Sequence, residues 1–76
     1  MAARLPMLKT RDVIRILKLL GFFAARQSGS HIFFKHSDGR TTVVLQHGGA
    51  DIGRGLLRAI LSEIEIDSEE FLKHLS

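Results

Sequence analysis

Four histidines, at positions 31, 36, 47 and 74, are the side chains of this chain best suited to move protons near neutral pH. The chain has no cysteine, which removes thiol nucleophiles, disulfides and thiolate metal sites from consideration. His31 stands apart from the other three. It follows Gly29-Ser30 and heads the run His31-Ile32-Phe33-Phe34-Lys35, which is otherwise apolar or basic. A hydrated histidine in that place can both take and give a proton, as a general acid or base must. The plain alternative is an ordinary surface histidine. His36 falls at the turn end of its run, where polar residues belong. His47 precedes Gly48-Gly49 and could meet an anion, and His74 suits the negative end of a terminal helix. His31 and His36 lie on opposite faces of one strand, and neither has a carboxylate at ligand spacing, so no metal site is expected. No Ser-His-Asp or Cys-His set is visible, and Gly53-x-Gly55 lacks the lysine-serine ending of a phosphate-binding loop.

The elements that must hold His31 follow from periodicity. Thr10 is placed to cap a helix whose apolar positions are Val13, Ile14, Ile16, Leu17 and Leu20, with Gly21 just past its end. Phe22 to Gln27 reads as a first strand, and Ser28-Gly29-Ser30 as a short turn. His31 to His36 and Thr41 to Gln46 form a hairpin around Asp38-Gly39, the favoured pair for a two-residue turn. That turn pairs Ser37 with Arg40, Phe34 with Val43, Ile32 with Leu45 and His31 with Gln46. The core face then holds Ile32, Phe34, Val43 and Leu45, and Gln46 lies across from His31, within reach to orient its ring. The other face carries His31, Phe33, Lys35, Thr42, Val44 and Gln46. Phe33, beside His31 and Lys35, could stack a base of single-stranded RNA or, with Val44, form an apolar patch for a protein.

Residues 47–53 read as a loop. Leu56, Leu57, Ile60, Leu61 and Ile64 mark a second amphipathic helix, with Arg54 and Arg58 sharing a face at its start. A short last helix begins at Asp67, with Glu70 in capping-box position. Helix, three strands, helix and short helix predict an α+β domain: a three-stranded antiparallel sheet with both main helices on one face and the other face free. The expected domain spans residues 1–76, with a core at about 8–66 and the terminal helix at about 67–75.

The 76 residues carry 11 Lys and Arg against 8 Asp and Glu. Ten of the basic residues and only three acids fall before Ala59, whereas five acids and one lysine follow it. A cationic body favours polyanions, since neutralised phosphates release counterions; it also simply keeps a small protein dissolved. No apolar run approaches the length of a spanning helix, and Met1–Lys9 has no long apolar stretch, so a cytoplasmic protein without a membrane partner is expected.

These pieces occur in a telling order. Gly29-Ser30-His31 before an apolar strand, Asp38-Gly39-Arg40, His47-Gly48-Gly49 and the helix Gly53-Arg54-Gly55-Leu56-Leu57-Arg58-Ala59-Ile60-Leu61 closely resemble the HicA toxin family. The stretches Arg11-Asp12-Val13-Ile14 and Leu20-Gly21-Phe22 resemble that family's first helix and its end. The resemblance runs from about Leu8 to Leu72. It implies a double-stranded-RNA-binding-domain-like fold, α-β-β-β-α, and the activity of a messenger-RNA interferase neutralised by a HicB-type antitoxin. It also implies that His31 is catalytic, the Gly29-Ser30 corner letting the RNA backbone approach.

With His31 as base, Arg26, Lys35 and Arg40 are candidates to hold phosphates, and Gly29, Ser30 and Gln46 to support the site. A ribose 2′-hydroxyl is the nucleophile, so single-stranded mRNA is the expected substrate, neither metal nor cofactor is expected, and DNA is not an expected ligand of this chain alone. The chain departs from the family pattern at Ile32, where a second histidine is common, near Leu45, where a proline is common, and in the acidic stretch Ser62–Ile66, which is usually basic and contains glycine. A non-catalytic RNA-binding module and a pure protein-interaction module of the same fold are the alternatives.

Overall fold

The computed structural model describes residues 5–46 and 51–75. The element order is β1 (Leu8–Lys9), α1 (Thr10–Leu19), β2 (Phe23–Ser28), β3 (His31–Lys35), β4 (Thr41–Leu45), β5 (Asp51–Ile52), α2 (Arg54–Ile64) and α3 (Ser68–Leu72). Strands β2, β3 and β4 form an antiparallel sheet in that order, and the very short β1 and β5 pair with each other beside it. The α+β architecture is the one expected; the β1–β5 pair is an addition, too short to leave a periodic signal.

Lys9, not Thr10, holds the N-cap position of α1, and Thr10 is its first, buried residue. The helix ends as Gly21 predicts. Gly21 takes φ +96, its N–H reaches Lys18 O at 3.1 Å, and the Phe22 N–H reaches back to Leu17 O at 2.9 Å. This paired closure needs a left-handed residue, which glycine adopts without strain. A side chain at Gly21 would also meet His36, since a Cβ there would lie 2.9 Å from Nε2. Helix α2 closes in the same way, but with Glu65 in the left-handed position at φ 58. Asp67 caps α3 as expected, its carboxylate accepting from the Glu70 N–H at 2.8 Å.

One face of the sheet meets Val13, Ile16 and Leu17 of α1 and Leu57, Ile60, Leu61 and Ile64 of α2 in a single apolar cluster that also takes in Phe71. The residues of this sheet in the cluster are Ile32, Phe34 and Val44, and the β1–β5 pair adds Leu8 and Ile52. The β3–β4 register corrects the expected one: His31 pairs with Leu45, Ile32 with Val44, Phe33 with Val43, Phe34 with Thr42 and Lys35 with Thr41. The connection is a three-residue loop, Ser37-Asp38-Gly39. The Gly39 N–H bonds His36 O and the His36 N–H bonds Arg40 O, each at 2.9 Å, with Gly39 at φ +99. A turn closing on a left-handed third residue is the common three-residue hairpin, and it adds one residue to the expected two. Because side chains alternate, that one step exchanges the faces of β4. Thr42 and Val44 turn inward, and Val43 and Leu45 turn outward.

A threonine on the core face needs a partner, and Thr42 Oγ1 donates to Glu63 Oε1 of α2 at 2.6 Å. Strand β2 is exposed along its whole length. It carries a bulge between Ala24 and Arg26, so that Ala24 pairs with Phe34 while Arg26 pairs with Phe33.

Candidate active site

The bare face of the sheet is built in three rows, because residues opposite one another in an antiparallel pair project to the same side. The first row is Ser28, His31 and Leu45; the second is Arg26, Phe33 and Val43; the third is Phe23, Lys35 and Thr41. Strand β3 supplies the middle of each row. His31 is exposed at the head of β3, and no hydrogen bond or ion pair engages its side chain among the described residues. Beside it, Gly29 and Ser30 form a two-residue loop with a positive φ, +58, at Gly29 only. That pattern matches the hairpin turn with glycine at its first position. Nothing lies within 4 Å of a Cβ built on Gly29, so the corner is open to a ligand backbone.

The structure brings together Arg26, His31, Phe33 and Lys35. The Arg26 guanidinium lies over the Phe33 ring, 4.6 Å from its centroid. This contact depends on the β2 bulge: without the extra residue, Arg26 would share the core side with Ala24. Bulges commonly re-aim a side chain in this way. No pattern in Phe23-Ala24-Ala25-Arg26 announces it. Phe33 lies about 7 Å along the strand from His31, and Lys35 about 13 Å.

Two expected site residues fall elsewhere. Gln46 does not face His31, since Leu45 occupies that position. The Gln46 N–H donates to Ser30 O at 2.7 Å, and Gln46 lines a groove with Lys9, Thr10 and Arg11. Gln46 therefore does not orient the His31 ring from across the strand pair, as the two-residue turn would have had it. Arg40 is committed to the fold. Its Nε donates to both Asp38 carboxylate oxygens, at 3.1 and 2.9 Å, its Nη1 donates to Ile64 O at the end of α2, and its guanidinium lies 5.2 Å from the Phe22 ring centroid. A cation there complements the negative end of α2. The backbone N–H of Arg40, and then its guanidinium, hold the Asp38 carboxyl below the usual carboxylate range.

His36 belongs to the same cluster. Its ring packs edge-on against Phe22 with centroids 5.0 Å apart, and its Nδ1 accepts from the Asp38 N–H at 3.1 Å. His74 lies 3.7 Å from the Glu70 carboxylate on α3. His47, with Gly48 and Gly49, lies outside the described residues. Among the described residues no three His, Asp or Glu side chains gather to hold a metal ion.

Fold and site together define a class: a small α+β domain whose helices cover one side of an antiparallel sheet and leave a cationic, aromatic, histidine-bearing side bare. Residues 10–66 match the family model of the HicA toxin of bacterial toxin–antitoxin systems, and the chain belongs to that family of toxins. No curated protein matches the chain significantly. Among the described residues no helix is long and apolar enough to cross a membrane.

Proposed function

We propose that this toxin is an endoribonuclease that cuts single-stranded mRNA in the cytoplasm, with His31 as its general base. The observation that carries the reading is the place of His31. It is solvent-exposed on the bare sheet face, beside an open glycine corner and in line with an Arg26–Phe33 stack and Lys35. His31 takes the proton of a ribose 2′-hydroxyl, the oxygen attacks the adjacent phosphorus, and the 5′-oxygen leaves with a proton from water. The products are a 2′,3′-cyclic phosphate and a 5′-hydroxyl end. The scheme moves protons only and uses neither metal nor cofactor. Positioned proton transfer is worth on the order of 10²–10⁴-fold. A single histidine leaves the departing oxygen to water, without a side-chain acid, so turnover is slow.

Phe33 and the Arg26 guanidinium offer a stacking surface for the neighbouring base, as single-strand binders use. Lys35 meets a phosphate about two nucleotides away. Arg26 and Lys35, rather than Arg40, supply the free cations of this face. A HicB-type antitoxin neutralises the toxin by covering the same face, where the outward Val43 and Leu45 join Phe33 and Phe23 in an apolar surface suited to a protein.

The test is incubation of the purified protein with a defined single-stranded RNA in EDTA, beside His31→Ala. Wild type alone should cut, leaving cyclic phosphate ends, and an all-deoxy strand should survive. Binding by both proteins with strong salt dependence but no cutting would replace catalysis with RNA binding alone. Absence of salt-dependent binding would leave a protein-interaction module.

A further inference from the structure

We propose that Ser28 is the residue that orients His31, holding the ring through Nδ1 so that Nε2 faces the substrate. This deepens the reading of His31 as the base and rests on it for its catalytic consequence.

Ser28 and His31 are direct partners across the β2–β3 pair, immediately flanking the two-residue Gly29-Ser30 loop. Their side chains project on the same bare face, with Cβ atoms about 5 Å apart. The other neighbour of His31 in its row is Leu45, which has no polar atom to offer. Ser28 is therefore the only polar side chain directly beside the histidine within its row of the sheet. A serine hydroxyl is one bond from its Cβ and imidazole Nδ1 two bonds from its own, so rotation about two side-chain torsions closes the gap. The tight turn fixes the backbone of both residues, so this neighbour relation does not depend on a flexible segment.

The chemistry gives the contact a purpose. A general base needs an unprotonated nitrogen facing the 2′-hydroxyl, and in neutral imidazole the other nitrogen then carries the proton. Which nitrogen is protonated is set by the hydrogen bond the other makes. The serine oxygen accepts from Nδ1–H and thereby favours the tautomer with a free Nε2 lone pair. Nε2, the nitrogen farther from the backbone, points toward ligand above the face. Bound RNA covers the pair and removes the competing water. Ser28 touches no reacting atom in this scheme; it is a positioning residue.

The test compares wild type, Ser28→Ala and Ser28→Thr by nitrogen-15 NMR of the His31 ring and by RNA cleavage. Wild type should hold a larger share of the Nδ1–H form than Ser28→Ala, and Ser28→Thr, which keeps the hydroxyl, should restore it. In cleavage, kcat for Ser28→Ala should fall about three- to tenfold, the worth of one hydrogen bond, with KM little changed. An identical His31 tautomer in wild type and Ser28→Ala overturns the proposal whatever the cleavage result. If His31→Ala cuts as well as wild type, the catalytic reading fails, while the ring measurement still decides whether Ser28 orients the histidine.

Discussion

The assignment of side chains to the bare face depends on the hairpin register, and two valines test it. Val44 is fully buried, at 0% exposure, in the cluster between sheet and helices, whereas its neighbour Val43 lies half-buried on the bare face. Val44→Ala removes two methyl groups worth about 0.8 kcal/mol each in transfer and leaves a cavity beneath α2, for a cost of about 2–3 kcal/mol. Val43→Ala loses only partly hydrated surface and should cost less than about 1 kcal/mol. Both changes carry the same intrinsic strand penalty on the same strand, so it cancels in the comparison. A chain of this length is worth about 4–11 kcal/mol in all, so Val44→Ala takes a large share of it. Melting followed by circular dichroism should place Val44→Ala about 10–20 °C below wild type and Val43→Ala within a few degrees of it. A larger loss from Val43→Ala would restore the two-residue turn, return Gln46 to the position opposite His31 and refute the face described above.

Other consequences are open to measurement. Replacing Arg26 or Lys35 with a neutral residue should reduce the slope of log affinity against log salt for single-stranded RNA by about 0.7 for each phosphate no longer neutralised, whereas Arg40→Met should leave the slope unchanged and lower stability by about 1.5–3 kcal/mol in urea titrations. Glu65→Gly should stabilise the protein by about 1 kcal/mol in the same titrations, because glycine relieves the left-handed strain at the end of α2. The depressed pKa of Asp38 means that its ionised form is the stabilising one: the contribution is present above the ordinary aspartate value and is lost as pH falls through the lower folded value. Asp38→Asn should therefore flatten the loss of stability below about pH 4, read from melting temperatures across the acid range.

The helices are legible in the sequence because each has a strong single-face pattern and a recognisable end, Gly21 for α1 and Asp67 at the start of α3. The register is not. Asp38-Gly39 fits a two-residue turn and equally the last two positions of a three-residue loop. The run Thr41-Thr42-Val43-Val44-Leu45 places apolar residues on both faces, so alternation cannot choose between them. What chooses is tertiary: α2 brings Glu63 to the Thr42 hydroxyl, and the inward Val44 fills the cluster. His31 stands out from its corner and its strand alone. Arg40 does not declare its role, because charge does not reveal where a guanidinium is used; its partners lie at Ile64, far along the chain, and at Asp38 and Phe22. The Arg26–Phe33 stack is reachable by residue type, but the bulge that makes it possible leaves no trace in the composition of β2.

Strand β3 is held by two turns that act on different neighbours. The Gly29-Ser30 turn alone decides that Ser28 stands beside His31. The Ser37-Asp38-Gly39 loop, together with the Thr42–Glu63 bond and the packing of Val44, turns Val43 and Leu45 outward. A one-residue insertion or deletion in the second loop would rewrite the apolar half of the surface and leave the Ser28–His31 pair in place. The two hairpins thus set the two neighbours of His31 separately, Ser28 from one and Leu45 from the other.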